Sequence, residues 1–456
     1  MSHSSTCSTS NLKAAFISSL DAATIQGFAV TARRDYLRQH DPNGAAHADL
    51  SCTVVTPPAS GTSNVAYTLD FSDGVNWVLR IPFRDWSDIR ARRMRLDIVA
   101  QQYILSRTSV PIPPVYSYDC TNDNALGHPY VIMAFVHGTR LADVWDDPTW
   151  WTGERTKARL LKSFARHMVE LASLEFDAIG CLDKVEPDGP YFVAPFPTMR
   201  SFHNSEFEGP DSEAGPFDNA HNFIQSILDE EFQINRDPFL AALHIFLNSL
   251  LERQYDRAPF ILGHPDLVAE NVFVDETGEV SAIIDWDGVA VLPRQLGALA
   301  YPAWLTIDWN PLFYFLYQYE PHHHTREELH MYRNIYVAGI AEASDGRLAA
   351  VTRNSHITCC LVQALASDFN RQDFVYHLGR YMFGLRWRAM LEGMKGSPWF
   401  NLDPNAIAQV TESDVLQFEV PERPVTAQQD DLRTSVDSND SDGESDDAGS
   451  RWLWWC

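Results

Sequence analysis

A regular alternation of apolar and polar residues between positions 65 and 81 predicts a β-hairpin. Apolar side chains occupy every second position from 65 to 71 and again from 75 to 81, and Ser72-Asp73-Gly74 separates the two runs. Because side chains alternate between the two faces of a strand, each run has one apolar face. Arg80 falls between Leu79 and Ile81, so it lies on the opposite face of the predicted hairpin.

Helical periodicity dominates the chain after this hairpin. The stretch from Ser87 to about Arg107 predicts a helix that ends before the proline-rich residues 111–114. Residues 130–136 predict a short apolar strand, and a β-rich stretch over residues 261–286 interrupts the later helices. The other predicted helices span roughly residues 155–175, 219–229, 238–254, 325–344 and 355–368.

These patterns predict an α+β protein with a small β-rich lobe followed by a large α-rich lobe. We assign residues 1–54 to a partly helical N-terminal extension, residues 55–136 to the first lobe and residues 137–425 to the second. Residues 426–456 form the last segment. Between residues 430 and 447 there are eight acidic residues and one basic residue, and this composition predicts a disordered acidic tail.

Amino-acid composition and net charge argue against some classes of binding partner. The formal net charge is −26, from 35 basic and 61 acidic residues, which argues against binding to nucleic acid or to an anionic membrane. No run approaches the roughly 18 apolar residues of a membrane helix, and the N-terminus lacks the apolar core of a signal peptide. Seven scattered cysteines contain no CxxC pair, as expected of free thiols. We therefore predict a cytoplasmic protein.

Candidate chemistry is concentrated in the β-rich stretch of the second lobe. Residues 264–271 match H-x-D-L-x-x-x-N, the pattern of kinase catalytic loops, and Asp285 follows Asn271 by 14 residues. Phosphoryl transfer from ATP needs one carboxylate to orient the acceptor hydroxyl and accept its proton, and it needs oxygen ligands for Mg²⁺. Asp266 suits the first role. Asn271 and Asp285 suit the second.

A simpler explanation exists for each of these residues alone, because Asp and Asn cap turns at strand ends. The loop, the predicted hairpin after it and the second Asp at this separation together favour the catalytic interpretation. His264 is interpreted as a residue that orients the loop by hydrogen bonding, since Asp266 already occupies the role of the base.

The stretch Gly263–Trp309 resembles fungal members of the aminoglycoside-phosphotransferase and choline-kinase-like superfamily, in which H-x-D-x-x-x-x-N is followed by I-D-W-[DE]. The similarity extends upstream through WVLRIP at residues 77–82 and YVIMAFVHGTRL at residues 130–141, and it covers roughly residues 55–425. It implies a bilobal protein-kinase-like fold, with ATP and Mg²⁺ between the lobes and a small-molecule acceptor over the second lobe. It implies the same roles as the chemistry of phosphoryl transfer does, with Asp266 as the base and Asn271 and Asp285 as the Mg²⁺ ligands.

The resemblance also implies a cation and a carboxylate that hold the nucleotide phosphates. Arg80 stands where the family commonly has a lysine, and a planar guanidinium fork is not equivalent to an ammonium group. Asp97 stands where the family has a helix Glu that pairs with this cation. The alternative for Asp97 is a local pair with Arg93, four residues earlier on the same predicted helix.

Four more residues complete the predicted nucleotide site. Gly61 and Ser63 belong to a loop with one glycine, which is less permissive of close backbone approach than a glycine-rich loop. Met133 and Phe135 lie on the apolar segment that leads into the second lobe.

Two functional hypotheses follow from these residues. The first is a small-molecule kinase that phosphorylates a hydroxyl or an amine. The second is a pseudokinase that binds a nucleotide or a partner, and its motivation is the altered Arg80 and Asp97 positions with the sparse glycine loop. A protein kinase is disfavoured, because Asp285-Trp286-Asp287-Gly288 replaces D-F-G and no A-P-E motif follows.

Three further groups of residues are interpreted without a role in binding or catalysis. The His322-His323-His324 run predicts a solvated loop in preference to a metal site. The arginines at positions 90, 92, 93 and 95 predict a solvated helix face. Trp286, Trp304 and Trp309 are interpreted as core residues in preference to an aromatic cage for a quaternary ammonium group.

Overall fold

The computed structural model describes residues 5–40, 49–61, 63–185, 189–197, 213–234, 237, 239–367 and 370–384. The predicted acidic tail, residues 426–456, therefore lies outside the described residues. The elements of the first lobe and of the extension before it are α1 (Ser5–Ser19), α2 (Ala22–His40), β1 (Cys52–Val54), β2 (Ala59–Ser60), β3 (Asn64–Phe71), β4 (Asn76–Pro82), α3 (Asp88–Arg107), β5 (Val115–Asp119) and β6 (Tyr130–Ala134).

The six strands form one antiparallel sheet in the order β1-β3-β4-β6-β5, with β2 paired to β3. The predicted hairpin is confirmed as β3 and β4, in the register that pairs Ala66 with Arg80. Its apolar face is fully buried, and Leu69, Leu79 and Ile81 are each 0% exposed. Arg80 lies on the opposite face, as the period of two predicts.

Helix α2 covers the apolar face of this sheet. Arg33 of α2 is buried, and its Nε and Nη2 atoms donate to Asp73 Oδ2 in the hairpin turn at 3.1 and 2.9 Å. The same guanidinium lies 4.9 Å from the centroid of the Trp77 ring. Since Ile25 and Ala29 are buried beside the strand residues, α2 shares one hydrophobic core with the strands that follow it.

Helix α3 has the predicted bounds and packs against the second lobe. Ser87 caps its N-terminus by accepting the Arg90 backbone N–H. Arg95 donates to both carboxylate oxygens of Asp183, at 2.8 and 2.7 Å, and Arg92 pairs with Glu213. The predicted solvated face is therefore only partly solvated at Arg92 and Arg95, whose side chains are 36% and 34% exposed, because the second lobe supplies carboxylates to this side of α3.

The second lobe is mainly helical. Its elements are β7 (Thr139–Arg140), α4 (Leu141–Val144), α5 (Lys157–Ala172), β8 (Glu175–Phe176), β9 (Cys181–Lys184), β10 (Tyr191–Ala194), α6 (Ala220–Ile234), α7 (Phe239–Leu250), β11 (Phe260–Gly263), β12 (Val272–Val274), β13 (Val280–Ile283), β14 (Ala290–Leu292), α8 (Pro311–Tyr317), α9 (Arg326–Ala343), α10 (Ala349–Ala366) and α11 (Arg371–Phe383). Short 3₁₀ helices span residues 253–255, 269–271, 303–305 and 307–309.

Amphipathic helices bury their apolar stripes in the core of this lobe. In α5, Leu160, Phe164, Met168 and Leu171 recur at helical spacing and are all buried. The five helices predicted after residue 150 are observed as α5, α6, α7, α9 and α10, whereas α8 and α11 were not predicted. The predicted α+β class with a small β-rich lobe and a large α-rich lobe is confirmed.

The expectation of a fully solvated histidine loop is wrong for His324, which is buried. Its Nε2 lies 2.6 Å from Lys157 Nζ at the start of α5, and its Nδ1 lies 2.9 Å from Asp146 Oδ1 and 2.8 Å from the Tyr317 hydroxyl. Lys157 Nζ also lies 4.4 Å from the centroid of the Trp145 ring. These contacts fasten the loop between α8 and α9 onto α5.

This cluster gives Lys157 a measurable effect on stability. Burial lowers the pKa of Lys157 from 10.5 to about 8, against the raising effects of Asp146 and Glu328. Between these two pH values the unfolded chain binds more protons than the folded protein, so the free energy of unfolding rises with pH. We expect Lys157→Met to remove that contribution, and the Tm of the variant relative to wild type to fall as the pH is raised from about 7.5 to about 10.

Thermal denaturation followed by circular dichroism at several pH values measures this difference. The matched control is Lys162→Met, which removes an exposed lysine from the same helix and so measures the effect of the substitution itself. A pH-independent difference for Lys157→Met contradicts the prediction.

The described residues bear on two predictions, one about membrane-spanning segments and one about free thiols. Within the described ranges, no helix combines the length and apolar character that crossing a bilayer requires. Cys52, Cys120, Cys181 and Cys360 are free thiols as expected, whereas Cys359 is in a disulfide.

Candidate active site

The candidate catalytic residues come together because two chain segments meet beside β12 and β13. The catalytic loop follows β11 and ends in the 3₁₀ helix at residues 269–271, directly before β12. Strand β13 runs antiparallel to β12, and the Ile284 N–H donates to the Asn271 carbonyl oxygen at 2.9 Å. This pairing brings Asp285, the next residue, beside the loop that carries Asp266 and Asn271.

Asn271 is buried and fixes the orientation of Asp266. Its Nδ2 donates to the Asp266 carbonyl oxygen at 2.9 Å and to Asp266 Oδ2 at 3.3 Å. With the amide nitrogen used in this way, the Asn271 side chain presents its Oδ1 oxygen as the remaining acceptor.

Asp266 has one carboxylate oxygen without a partner. Oδ1 is buried and accepts no hydrogen bond within the part of the chain that the structure describes. Burial raises the pKa of Asp266 to about 8, helped by the nearby charges of Asp285 and Glu270 and opposed by the hydrogen bond from Asn271. Buried polar atoms without partners are uncommon in folded proteins, so this oxygen is a candidate acceptor for a hydrogen bond from a bound molecule.

His264 supports the loop through both of its ring nitrogens. Nδ1 accepts the Asp266 backbone N–H at 3.1 Å, and Nε2 donates to the Ile284 carbonyl oxygen at 2.8 Å. Burial lowers the pKa of His264 to about 4, so the ring is neutral near pH 7. Its ring packs edge-on against Trp286 at 4.6 Å between centroids. These contacts agree with the predicted orienting role of His264.

The motif at residues 285–288 forms a tight turn above this loop. Asp285 has φ of +64° and Gly288 has φ of +96°, and a positive φ at a residue other than glycine is uncommon. Trp286 is buried and donates its Nε1 hydrogen to the Ile283 carbonyl oxygen at 2.9 Å. Burial raises the pKa of Asp285, and Arg80 opposes that shift.

Arg80 contacts this turn from the first lobe. Its Nη2 donates to Asp285 Oδ1 at 3.0 Å and to Asp287 Oδ2 at 2.8 Å, while Nη1 donates to Asp287 Oδ1 at 3.3 Å. The guanidinium therefore bridges the two lobes through two carboxylates.

The predicted pairing of Arg80 with Asp97 is wrong. Asp97 does point inward from α3 and is buried, but its Oδ1 accepts the Gly288 backbone N–H at 2.8 Å and makes no hydrogen bond with Arg80. Burial raises the pKa of Asp97 well above its ordinary value, and the charge of Arg93 is the largest opposing influence. Helix α3 packs against the turn through Arg93 and Asp97, and Asp97 uses its carboxylate to hold the turn backbone in place of Arg80.

The predicted nucleotide loop also reaches this turn. Gly61 donates its N–H to the Asn64 carbonyl oxygen at 2.9 Å, Ser63 accepts the Phe83 N–H at 3.2 Å, and Asn64 Nδ2 donates to Asp287 Oδ2 at 3.3 Å. Sequence reasoning had not assigned a role to Asn64 or to Asp287. Asp287 could have been identified from the sequence, because it is the second acidic residue of the I-D-W-D motif at residues 284–287.

Two more predicted residues lie on the strand that leads to the second lobe. In the β4–β6 ladder, Val131 is paired with Arg80 and Met133 with Val78, so Met133 shares the sheet face that carries Arg80. Phe135 follows β6, and its N–H donates to the Asn76 carbonyl oxygen at 3.3 Å. Both residues are therefore next to the connection between the lobes.

The three tryptophans considered for a cage occupy separate packing positions. Trp286 packs on His264, Trp304 packs on Trp145 and Phe164, and Trp309 packs on His356 and His377. The interpretation as core residues is confirmed for Trp286 and Trp304, which are buried, whereas Trp309 is partly buried and packs against the core.

A sequence profile described as the phosphotransferase enzyme family, APH, matches residues 54–295. The match includes Arg80, Asp97 and the whole candidate catalytic centre, and it spans 242 of the 456 residues. The chain belongs to the phosphotransferase enzyme family. The predicted superfamily is thereby confirmed, and with it the bilobal protein-kinase-like class of the fold.

Curated relatives of this phosphotransferase are distant. The altered inheritance of mitochondria protein 9, mitochondrial, of Meyerozyma guilliermondii is 24% identical over 123 residues, which are 27% of this chain and 20% of that protein. A subtelomeric hrmA-associated cluster protein of Aspergillus fumigatus is 22% identical over 322 residues, or 56% of this chain and 61% of that protein. The chain thus spans less than two thirds of the length of either relative.

Similar solved structures include two kinases of small molecules. A thermostable mutant of an aminoglycoside phosphotransferase is 18% identical, with 80% of this chain and 99% of that chain covered and a TM-score of 0.40. An ethanolamine kinase of Plasmodium vivax is 13% identical, with 79% and 85% covered and a TM-score of 0.37.

Proposed function

We propose that this phosphotransferase moves the γ-phosphate of Mg·ATP to a hydroxyl or an amine of a small molecule, with Asp266 as the base. The observation that carries the proposal is the partnerless Asp266 Oδ1, beside Asn271 and Asp285. An acceptor hydroxyl that donates to Oδ1 gives this oxygen its missing hydrogen bond. The same contact aligns the hydroxyl for attack and accepts its proton.

The metal-binding part of the proposal rests on Asn271 and Asp285. Their side chains supply hard oxygen donors, the type that Mg²⁺ prefers. Across the described residues there is no group of three His, Cys, Asp or Glu side chains able to hold a metal ion. Asn271 and Asp285 would therefore hold Mg²⁺ together with phosphate oxygens and water. When bound, Mg²⁺ neutralises negative charge on the phosphates.

The nucleotide part of the proposal uses the cleft between the lobes. Arg80 provides the cation for the phosphates, and the loop with Gly61 and Ser63 covers them. Met133 and Phe135 flank the nucleotide base at the connection between the lobes. Asp97 supports the site indirectly through its hydrogen bond to Gly288.

The acceptor is proposed to be a small molecule, as in the solved kinases named above. The cytoplasmic location stays a prediction, and the name of the Meyerozyma relative describes that protein as mitochondrial.

A thermal-shift series with ATP and Mg²⁺, followed by an acceptor screen that measures ADP release, tests the function. We expect ATP with Mg²⁺ to raise the Tm, since a ligand at about 100 times its Kd stabilises the folded state by about 2.7 kcal/mol. Omitting Mg²⁺ should reduce the shift. A protein that neither shifts with Mg·ATP nor releases ADP with any acceptor contradicts the proposal.

A second candidate function is a pseudokinase. The observation that favours it is the ion pair between Arg80 and Asp285, which occupies a proposed metal ligand with a side chain of the protein itself. A pseudokinase would shift with the nucleotide but release no ADP across the acceptor panel. Replacing Asp266 would then change nothing that the assay measures.

A further inference from the structure

We infer that Asp287 is a positioning residue for nucleotide binding, and that it holds Arg80 and the nucleotide loop in place of the helix carboxylate Asp97. This inference rests on the proposed function, since it concerns the same nucleotide site. It assigns to the second lobe a task that the family resemblance assigned to α3 of the first lobe.

The contact between Arg80 and Asp287 uses both carboxylate oxygens. Nη1 donates to Oδ1 at 3.3 Å, and Nη2 donates to Oδ2 at 2.8 Å. Such a fork-to-fork pair fixes the plane of the guanidinium as well as its position. Asp285 accepts one hydrogen bond from Arg80, through Oδ1 alone, and so leaves its second oxygen outside this contact.

Asp287 also holds the loop that is proposed to cover the phosphates. Asn64 at the start of β3 donates its Nδ2 hydrogen to Asp287 Oδ2 at 3.3 Å. The Gly61 N–H donates to the Asn64 carbonyl oxygen, so the turn around Gly61 is built on the residue that Asp287 holds. One carboxylate of the second lobe therefore connects the cation and the loop of the first lobe.

The position of Asp287 is itself fixed on both sides along the chain. Trp286 before it is buried, with its indole N–H bonded to the Ile283 carbonyl oxygen. Gly288 after it donates its N–H to Asp97 and has φ of +96°. This positive φ is a conformation that glycine adopts without strain, and a Cβ at position 288 would also come within 2.9 Å of Arg93 Nη2. Asp97 therefore affects the nucleotide site indirectly, because it holds the turn that carries Asp287.

A direct role as a metal ligand is the competing explanation for Asp287, because it lies two residues after Asp285. Its two oxygens already accept three hydrogen bonds from the first lobe. A positioning role therefore predicts that the effects of Asp287 and Arg80 depend on each other, whereas a metal-ligand role predicts independent effects.

A double-mutant cycle on nucleotide affinity tests the inference. The Kd for Mg·ATP by calorimetry and the KM for ATP are measured for wild type, Arg80→Met, Asp287→Asn and the double variant, at several Mg²⁺ concentrations. We expect each single variant to weaken ATP binding by about 10- to 100-fold, the range for losing a charge-assisted hydrogen bond. The losses should not be additive, so the double variant should bind Mg·ATP more tightly than the product of the two single losses predicts. KM should change more than kcat.

Two further variants keep the result interpretable. Asp287→Glu retains the charge and should recover part of the lost affinity. Asp123→Asn makes the same charge change in an exposed loop of the first lobe, and it should leave the Kd at the wild-type value. The Tm of every variant, measured without ligand, identifies any that fold poorly, and Asn64→Ala then provides a second way to remove a contact of Asp287.

The outcomes separate the inference from the proposed function. A wild-type protein that does not bind Mg·ATP contradicts the proposed function itself. A wild type that binds, with losses that add in the double variant and that excess Mg²⁺ reverses, overturns the positioning role and identifies Asp287 as a metal ligand.

Discussion

The Asp266→Asn variant is expected to lose about 10²- to 10⁴-fold in kcat, the range that general-base catalysis contributes. The substitution preserves the shape of the side chain and removes its ability to accept a proton. Because Oδ1 has no partner within the described residues, the change disturbs few existing contacts. ADP release at saturating ATP, Mg²⁺ and acceptor measures kcat, and the thermal shift with Mg·ATP should stay close to that of the wild type.

Asp275→Asn is the matched control for this prediction. Asp275 lies in the turn between β12 and β13, four residues after Asn271, where it accepts hydrogen bonds from Thr277 and Glu279. We expect this variant to keep its kcat. An Asp266→Asn protein with the turnover of the wild type would show that another group accepts the proton.

The second large effect is expected on stability, at the buried pair between Arg333 of α9 and Asp308. Arg333 and Asp308 are 7% and 3% exposed, and the guanidinium donates to both carboxylate oxygens at 2.6 and 3.0 Å. Nη1 also donates to the Leu305 carbonyl oxygen at 2.6 Å. Arg333→Met leaves the Asp308 carboxylate buried without its cation, and breaking such a pair costs about 3–5 kcal/mol.

Equilibrium denaturation by urea measures this loss as a lower midpoint. Lys162→Met breaks an exposed ion pair between α5 and Glu342 and should move the midpoint little, because water screens that pair. The double variant Arg333→Met with Asp308→Leu should recover part of the loss, since neither charge then remains buried. A midpoint for Arg333→Met at the wild-type value would mean that the pair is solvated.

Local patterns in the sequence were sufficient to predict the hairpin and to identify the segments that bring Asp266, Asn271 and Asp285 together. The period of two in residues 65–81 determines which face of β3 and β4 is buried, and it placed Arg80 on the correct face. The spacing between Asp266, Asn271 and Asp285 reflects two adjacent strands and the short turn between them. Because residues close together in the chain determine how these three side chains meet, the motif alone was sufficient to predict that they are neighbours.

Contacts between distant segments could not be predicted in the same way. Whether Arg80 meets Asp97 or Asp287 depends on how α3 and the turn at residues 285–288, which are nearly 200 residues apart in the chain, pack together. The burial of His324 likewise depends on Lys157 and Asp146, which lie more than 160 residues earlier in the chain. A run of three histidines carries no information about such partners.

Because α2 covers one face of the sheet, it limits where this phosphotransferase can be truncated. The family match begins at residue 54, whereas the apolar face of β3 and β4 is kept from water by residues 22–40. A protein that started at the family boundary would expose that face and would tend to self-associate through it. The segment that the family profile matches is therefore smaller than the unit that folds, and chimaeras or truncations need to keep α2 with the strands that it covers.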